Sequence, residues 1–165
     1  MSIPLVTIIG KSGSGKTTVL EKLIVELKNR NYKLATIKHH SHRGFEIDQP
    51  GKDSWRFAQA GSDHVIIASP DKIASYRKVE RELSLDEIVE GVSGVDIILV
   101  EGYKQAEKPS LEVVRAANGR ELVGSQEQRF AVVADFPLDL GVPQFGLEDV
   151  RGIADLIETR FLKHS

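Results

Sequence analysis

Gly10-Lys11-Ser12-Gly13-Ser14-Gly15-Lys16-Thr17 is the stretch of this chain best equipped to hold an anion. It fits the pattern G-x-x-x-x-G-K-[ST], in which each residue type answers a physical demand. Phosphate oxygens need several backbone N–H groups converging on them, so the chain must wrap tightly with no side chains in the way. Gly10, Gly13 and Gly15 allow that close approach and the positive φ angles it requires. Lys16 supplies a point charge for the β- and γ-phosphates, and the Thr17 hydroxyl is a hard ligand for Mg²⁺. Ser12 and Ser14 add small polar side chains, and Thr18 completes the segment, reading more as a helix residue than as a ligand. Lys11 has two readings: a second lysine reaching the phosphates, or a solvated loop lysine.

A phosphate-bound Mg²⁺ also needs a carboxylate, direct or through water. In a parallel sheet such a loop lies at the C-terminal ends of the strands, so the partner acid should directly follow an apolar strand. Glu101 does so, after Ile97-Ile98-Leu99-Val100, whereas Asp96 precedes that strand and belongs to the opposite edge. Asp48 and Asp53 lie in a polar loop after the second strand; Asp48 is the better candidate to approach the metal or an attacking water, and Asp53 or Ser54 to cap a helix. The catalytic candidates are therefore Lys16, Glu101 and Asp48, with Thr17 and Glu101 for the metal. His39, His40 and His42 read as a solvated loop touching an anionic ligand more than as a structural metal site, since no fourth ligand is evident. Asp135 either faces the nucleotide base or caps the turn before Pro137.

The elements that must position these residues alternate. Leu5-Val6-Thr7-Ile8-Ile9 is a continuous β-branched run, as expected of a strand buried on both faces. Val19, Leu20, Leu23, Ile24 and Leu27 then repeat at helical spacing, and Leu34-Ala35-Thr36-Ile37 follows as a second strand. Further strands are predicted at 64–68, 73–76, 97–100, 111–114 and 130–134, with a short one possible between Pro137 and Phe145. Helices are predicted from Asp53 or Ser54 to Ala60, from the capping-box spacing Ser84-Leu85-Asp86-Glu87 to about Val92, and from Glu148 or Asp149, burying Val150, Ile153, Ala154, Ile157 and Phe161. This order predicts an α/β P-loop NTPase fold, a mostly parallel sheet flanked by helices, in one domain over residues 1–165.

Composition removes several function classes. With 165 residues, 41% hydrophobic and 28% charged, the chain resembles an ordinary soluble domain. A net charge of -2 provides no general field for nucleic acid. The absence of cysteine excludes disulfides, thiolate metal sites and cysteine nucleophiles. The first apolar run is too short for a signal peptide, and no segment approaches the ~20 apolar residues that span a bilayer. A cytoplasmic protein with neither nucleic-acid nor membrane partners is the expectation.

The chain resembles the molybdopterin-guanine dinucleotide biosynthesis protein B (MobB) family over nearly its whole length. The residues carrying the resemblance are the Gly10–Thr18 loop, Ile37-Lys38-His39-His40, Asp48-Gln49-Pro50-Gly51-Lys52-Asp53-Ser54, Ala60-Gly61, Ala68-Ser69 and Leu99-Val100-Glu101-Gly102-Tyr103-Lys104. The resemblance implies a GTP-binding, SIMIBI-like P-loop protein, homodimeric, with Mg²⁺ and weak GTPase activity. It implies an accessory role in attaching GMP to molybdopterin, with the guanylyltransferase MobA and the molybdenum-insertion protein MoeA as partners. The Asn-Lys-x-Asp guanine-reading motif of regulatory GTPases is absent, so guanine preference rests on the resemblance alone. The competing readings are a P-loop kinase acting on a small metabolite, with Arg77 and Arg81 as the nearest thing to a lid, and an adaptor that binds nucleotide without turnover. No resident arginine for transition-state charge is evident.

Overall fold

In the computed structural model, residues 2–163 are described, and their contacts divide the chain into two compact units, 1–39 with 88–165 and 40–87. The larger unit holds six parallel strands in the order β2-β5-β1-β6-β7-β8. These are β1 (Leu5–Ile9), β2 (Leu34–Lys38), β5 (Ile97–Glu101), β6 (Ser110–Val114), β7 (Arg129–Ala134) and β8 (Gln144–Phe145). Every residue of β6 and β7 is buried, so apolar side chains fill both faces, and the polar exceptions Ser110, Glu112 and Arg129 are buried with them.

Two helices cover one face of the sheet. Helix α1 (Lys16–Asn29) buries Val19, Leu20, Leu23 and Leu27, and α4 (Val150–Ile157) buries Ile153, Ala154 and Ile157. These side chains meet Val6, Ile8, Leu99, Leu111, Val113 and Val133 in one core. Burying a Leu or Ile contributes about 1.5–3 kcal/mol, so this seam fixes where the sheet ends relative to the start of α1. Asp149 caps α4, accepting from the Gly152 amide at 3.1 Å, as its position predicts. The chain then continues as a π-helical turn over Glu158–Leu162, where Leu162 is buried and Phe161 only partly so.

The smaller unit contains α2 (Asp53–Gln59) and an antiparallel hairpin of β3 (His64–Ala68) and β4 (Ile73–Arg77). The four residues between those strands are too few for a parallel crossover, so the pair forms its own two-stranded sheet. The cap of α2 differs from expectation: Lys52 occupies it and no side chain bonds there, while Asp53 is the first helical residue. The capping box is present, with the Ser84 hydroxyl accepting from the Glu87 amide at 3.2 Å and the Glu87 carboxylate from the Ser84 amide at 2.8 Å. Helix α3 (Leu85–Val89) stops short of Val92. No described helix is long and apolar enough to cross a membrane.

Candidate nucleotide-binding site

The predicted anion loop is built at the end of β1, between β5 and β6. Gly10, Gly13 and Gly15 adopt φ of +153°, +76° and +94°. A Cβ on Gly10 would lie 2.4 Å from the Val113 carbonyl oxygen, so only glycine lets the loop pass over β6. Gly15 precedes α1 in the left-handed conformation, with no side chain bonding the helix start and no acid in its first turn. A 14-residue helix thus presents its first amides and the positive end of its dipole without a protein anion to occupy them. Ser14 is 1% exposed and its hydroxyl has no hydrogen-bond partner among the described residues. A buried orphan hydroxyl is costly unless a ligand completes it, and a phosphate oxygen has the right chemistry.

Lys16 is held over this cradle, its ammonium donating to the Gly10 and Lys11 carbonyls at 2.7 and 3.1 Å. Burial pushes it below the ordinary lysine range; Glu101 opposes that shift, and Lys104 and Lys38 add to it. Glu101 closes β5 and pairs in register with Ile8 on one side and Lys38 on the other. Side chains in register on parallel strands leave the same face. Ile8 packs into the core beneath α1, so Glu101 leaves the sheet on the side where Lys16 and Thr17 begin the helix. Asp96 accepts from the Lys33 amide at 2.7 Å before β2, at the edge away from the loop, as predicted.

Other expectations change. Lys11 remains partly exposed and its ammonium pairs with Glu121, a contact that lowers the Glu121 carboxyl below its usual range. Asp135, expected to face a base or to cap the turn before Pro137, turns back to the segment after β6. It accepts from the Ala116 amide at 2.8 Å, which lowers its carboxyl, and lies 3.6 Å from Arg115 Nε. Asp48 belongs to the smaller unit, where the Tyr76 hydroxyl donates to it at 2.7 Å and the Gln49 amide at 2.8 Å. His40 and His42 lie edge to face at 5.9 Å there, and among the described residues no group of acids and histidines is placed to hold a metal.

Sequence reasoning missed the segment 115–124, which straps the anion loop. Asn118 donates to the Ser12 carbonyl at 2.5 Å, and its side chain comes within 3.4 Å of where a Gly13 Cβ would be. The Cδ of Arg115 lies 3.9 Å from the corresponding point on Gly15, so an arginine does stand beside the loop. Glu112 fixes the far end of the strap by accepting from the Val123 and Gly124 amides at 2.5 and 3.2 Å. Glu112 is in turn paired with buried Arg129 at 2.8 Å. The rule that points to Glu101, that chemistry follows the ends of apolar strands, points equally to the residues after β6.

A central parallel strand, a glycine loop, an uncapped helix start with its lysine and threonine, and an acid ending the neighbouring strand define a P-loop nucleotide-binding protein. Comparison with known proteins narrows the class. A family model described as Molybdopterin guanine dinucleotide synthesis protein B matches residues 5–135. A molybdopterin-guanine dinucleotide biosynthesis adapter protein of Haemophilus influenzae is 39% identical over 158 residues, covering 94% of this chain and 88% of the relative. The Escherichia coli protein of the same description is 38% identical over 162 residues, covering 94% and 91%. The crystal structure of a molybdopterin-guanine biosynthesis protein B superposes with a TM-score of 0.73 at 31% identity, over 94% of this chain and 98% of the other. That of Bacillus subtilis MobB gives 0.77 at 24% identity, over 98% and 99%, a likeness of fold. The chain belongs to the MobB family.

Proposed function

We propose that this protein is a GTP-binding accessory factor of molybdenum-cofactor biosynthesis that assists conversion of molybdopterin to its guanine dinucleotide form and hydrolyses GTP weakly. The observation carrying the nucleotide part is the uncapped, acid-free start of α1 beneath the glycine loop, with the buried Ser14 hydroxyl lacking a partner among the described residues. The pathway and the guanine preference are supported by the names of relatives that align along nearly the whole chain.

In this reading the amides of residues 10–17, with Thr18 following in the helix, enclose the phosphates, and Lys16 exchanges its loop carbonyls for phosphate oxygens. The Thr17 hydroxyl and the Glu101 carboxylate are hard oxygen donors on one side of the loop, a set that suits Mg²⁺ held mainly by phosphate and water. Bound there, the metal would neutralise charge on the β- and γ-oxygens. The contacts of Asp48 support a local role in its own unit, so catalysis is given to Lys16 and Glu101. Weak turnover accords with Asp135 lying 3.6 Å from the nearby guanidinium of Arg115, where it offsets charge that Arg115 could offer the transition state. Of the two arginines that the kinase alternative would use as a lid, Arg81 is engaged by Glu87.

The partners proposed are the guanylyltransferase MobA, the insertion protein MoeA and a second copy of this chain, all in the cytoplasm. The homodimer is supported by the hairpin: Ile66 and Ile73 share one face and are 61% and 75% exposed. The same unit carries an open groove of about 350 Å³ lined by Phe45, Ile47, Ala58, Tyr76 and Val79. Titration calorimetry with GTP, GDP and ATP, with and without Mg²⁺, tests the nucleotide reading. Mg²⁺-dependent binding that favours GTP supports it; equal affinity for ATP removes the guanine assignment, and no binding removes the function.

A further inference from the structure

The residues flanking the anion loop on its β2/β5 side carry more positive charge than the loop itself uses. Lys38 and Glu101 are register partners, and Glu101 is the register partner of Ile8, so the three form a row across adjacent strands about 4.8 Å apart. All three leave the same face, the one on which α1 begins. Beyond Glu101 the chain turns through two successive left-handed residues, Gly102 at φ +95° and Tyr103 at +53°. A bulky residue in that conformation is strained and persists only where its surroundings impose it.

Here they do. The Gly102 amide donates to the Ile8 carbonyl at 3.1 Å and the His39 amide to the Glu101 carbonyl at 3.0 Å. The Tyr103 ring stacks on His39 with centroids 4.3 Å apart. A Cβ on Gly102 would come 2.9 Å from His39 Cβ, so the turn closes only on glycine. Lys104 directly follows this turn, which is tied to β1 and β2 through Ile8 and His39, and its charge and that of Lys38 both act on Lys16. At Lys16 the charges of Lys38 and Lys104 are opposed by that of Glu101 alone. Lys16 is occupied by loop carbonyls and Lys11 by Glu121, whereas neither Lys38 nor Lys104 forms an ion pair among the described residues. A strained turn that gathers like charges works against folding unless an anion is to be received there.

We propose that Lys38 and Lys104 form an anion subsite beside the P-loop lysine that takes a terminal phosphate group, either the γ-phosphate of the nucleotide or a phosphate monoester bound next to a nucleoside diphosphate. The subsite rests on the nucleotide reading for its neighbour but not for its own charge. It assigns a task to the Lys38-His39 and Gly102-Tyr103-Lys104 motifs, which nucleotide binding by the loop leaves unexplained.

The test compares the wild type with a Lys38→Gln/Lys104→Gln double variant, titrating GTP, GDP, and inorganic phosphate into the GDP complex. Both lysines are exposed, so the variant should fold, which its thermal midpoint checks. A loss of about tenfold or more for GTP with GDP affinity unchanged assigns the subsite to the γ-phosphate. A loss of phosphate uptake by the GDP complex with GTP affinity unchanged assigns it to a second phosphorylated ligand. Losing both places the two in one position. Wild-type affinity in all arms, or equal losses for GTP and GDP, overturns the subsite. A wild type that binds neither nucleotide defeats the functional reading instead, and inorganic phosphate titrated into the nucleotide-free protein then still tests the two lysines.

Discussion

At the scale of single residues, most of the proposed chemistry depends on Lys16. Its ammonium is partly desolvated and rests on carbonyls 2.7 and 3.1 Å away, which a phosphate would replace with stronger bonds to oxygens of opposite charge. Lys16→Ala is expected to weaken GTP binding about 30- to 100-fold, corresponding to ~2–3 kcal/mol. The same change should alter unfolding stability by less than ~1 kcal/mol, because only neutral loop carbonyls lose a partner. Titration calorimetry and urea denaturation on one preparation separate the two. An affinity unaffected by the substitution would place the phosphates elsewhere.

At the scale of elements, the strap after β6 is held by the Glu112–Arg129 pair, whose side chains are 1% and 5% exposed. Glu112→Gln leaves a buried guanidinium without its charge partner and is expected to destabilise the protein by about 3–5 kcal/mol. Replacing both, Glu112→Leu with Arg129→Met, should recover much of that loss while releasing the Val123 and Gly124 amides that Glu112 accepts. Urea unfolding of the three proteins gives the comparison, and equal losses in the single and double variants would refute it. In the smaller unit the Tyr76–Asp48 bond pushes the phenol up from 10.0 to about 12 and holds the carboxyl below its ordinary 3.8. A raised folded-state value stabilises below pH 10 and fades as pH rises toward 12; a lowered carboxyl stabilises above pH 3.8 and fades as pH falls. The bond therefore contributes between those limits. In an ultraviolet titration Asp48→Asn should bring the Tyr76 midpoint down toward 10, and an unmoved midpoint would show that the bond does not form in solution.

At the scale of the whole molecule, a two-stranded sheet has two free edges and is marginal alone in water. An apolar face on such a sheet is a liability unless another surface covers it. Since Ile66 and Ile73 are exposed within one chain, changing both to Lys should leave the monomer folded while abolishing association. Sedimentation equilibrium is expected to give a dimer for the wild type and a monomer for Ile66→Lys/Ile73→Lys. A wild type that stays monomeric at tens of micromolar would remove the hairpin as the dimer surface.

The sequence by itself determined the parallel sheet, the P-loop and the acid at the end of β5. Those depend on local rules: β-branched runs, helical spacing of apolar residues, glycines where φ is positive, and strand ends that must face the ligand edge. It placed Glu101 and rejected Asp96 on strand direction alone. Only the tertiary structure decided which charges meet. Lys11 with Glu121, Arg115 with Asp135 and Glu112 with Arg129 are brought together by strand order and loop path, and sequence spacing records neither. Lys38 and Lys104 lie far apart along the chain. Lys38 is set beside Glu101 by the register of β2 on β5, and Lys104 follows the left-handed turn beyond Glu101, a pairing that no local pattern encodes.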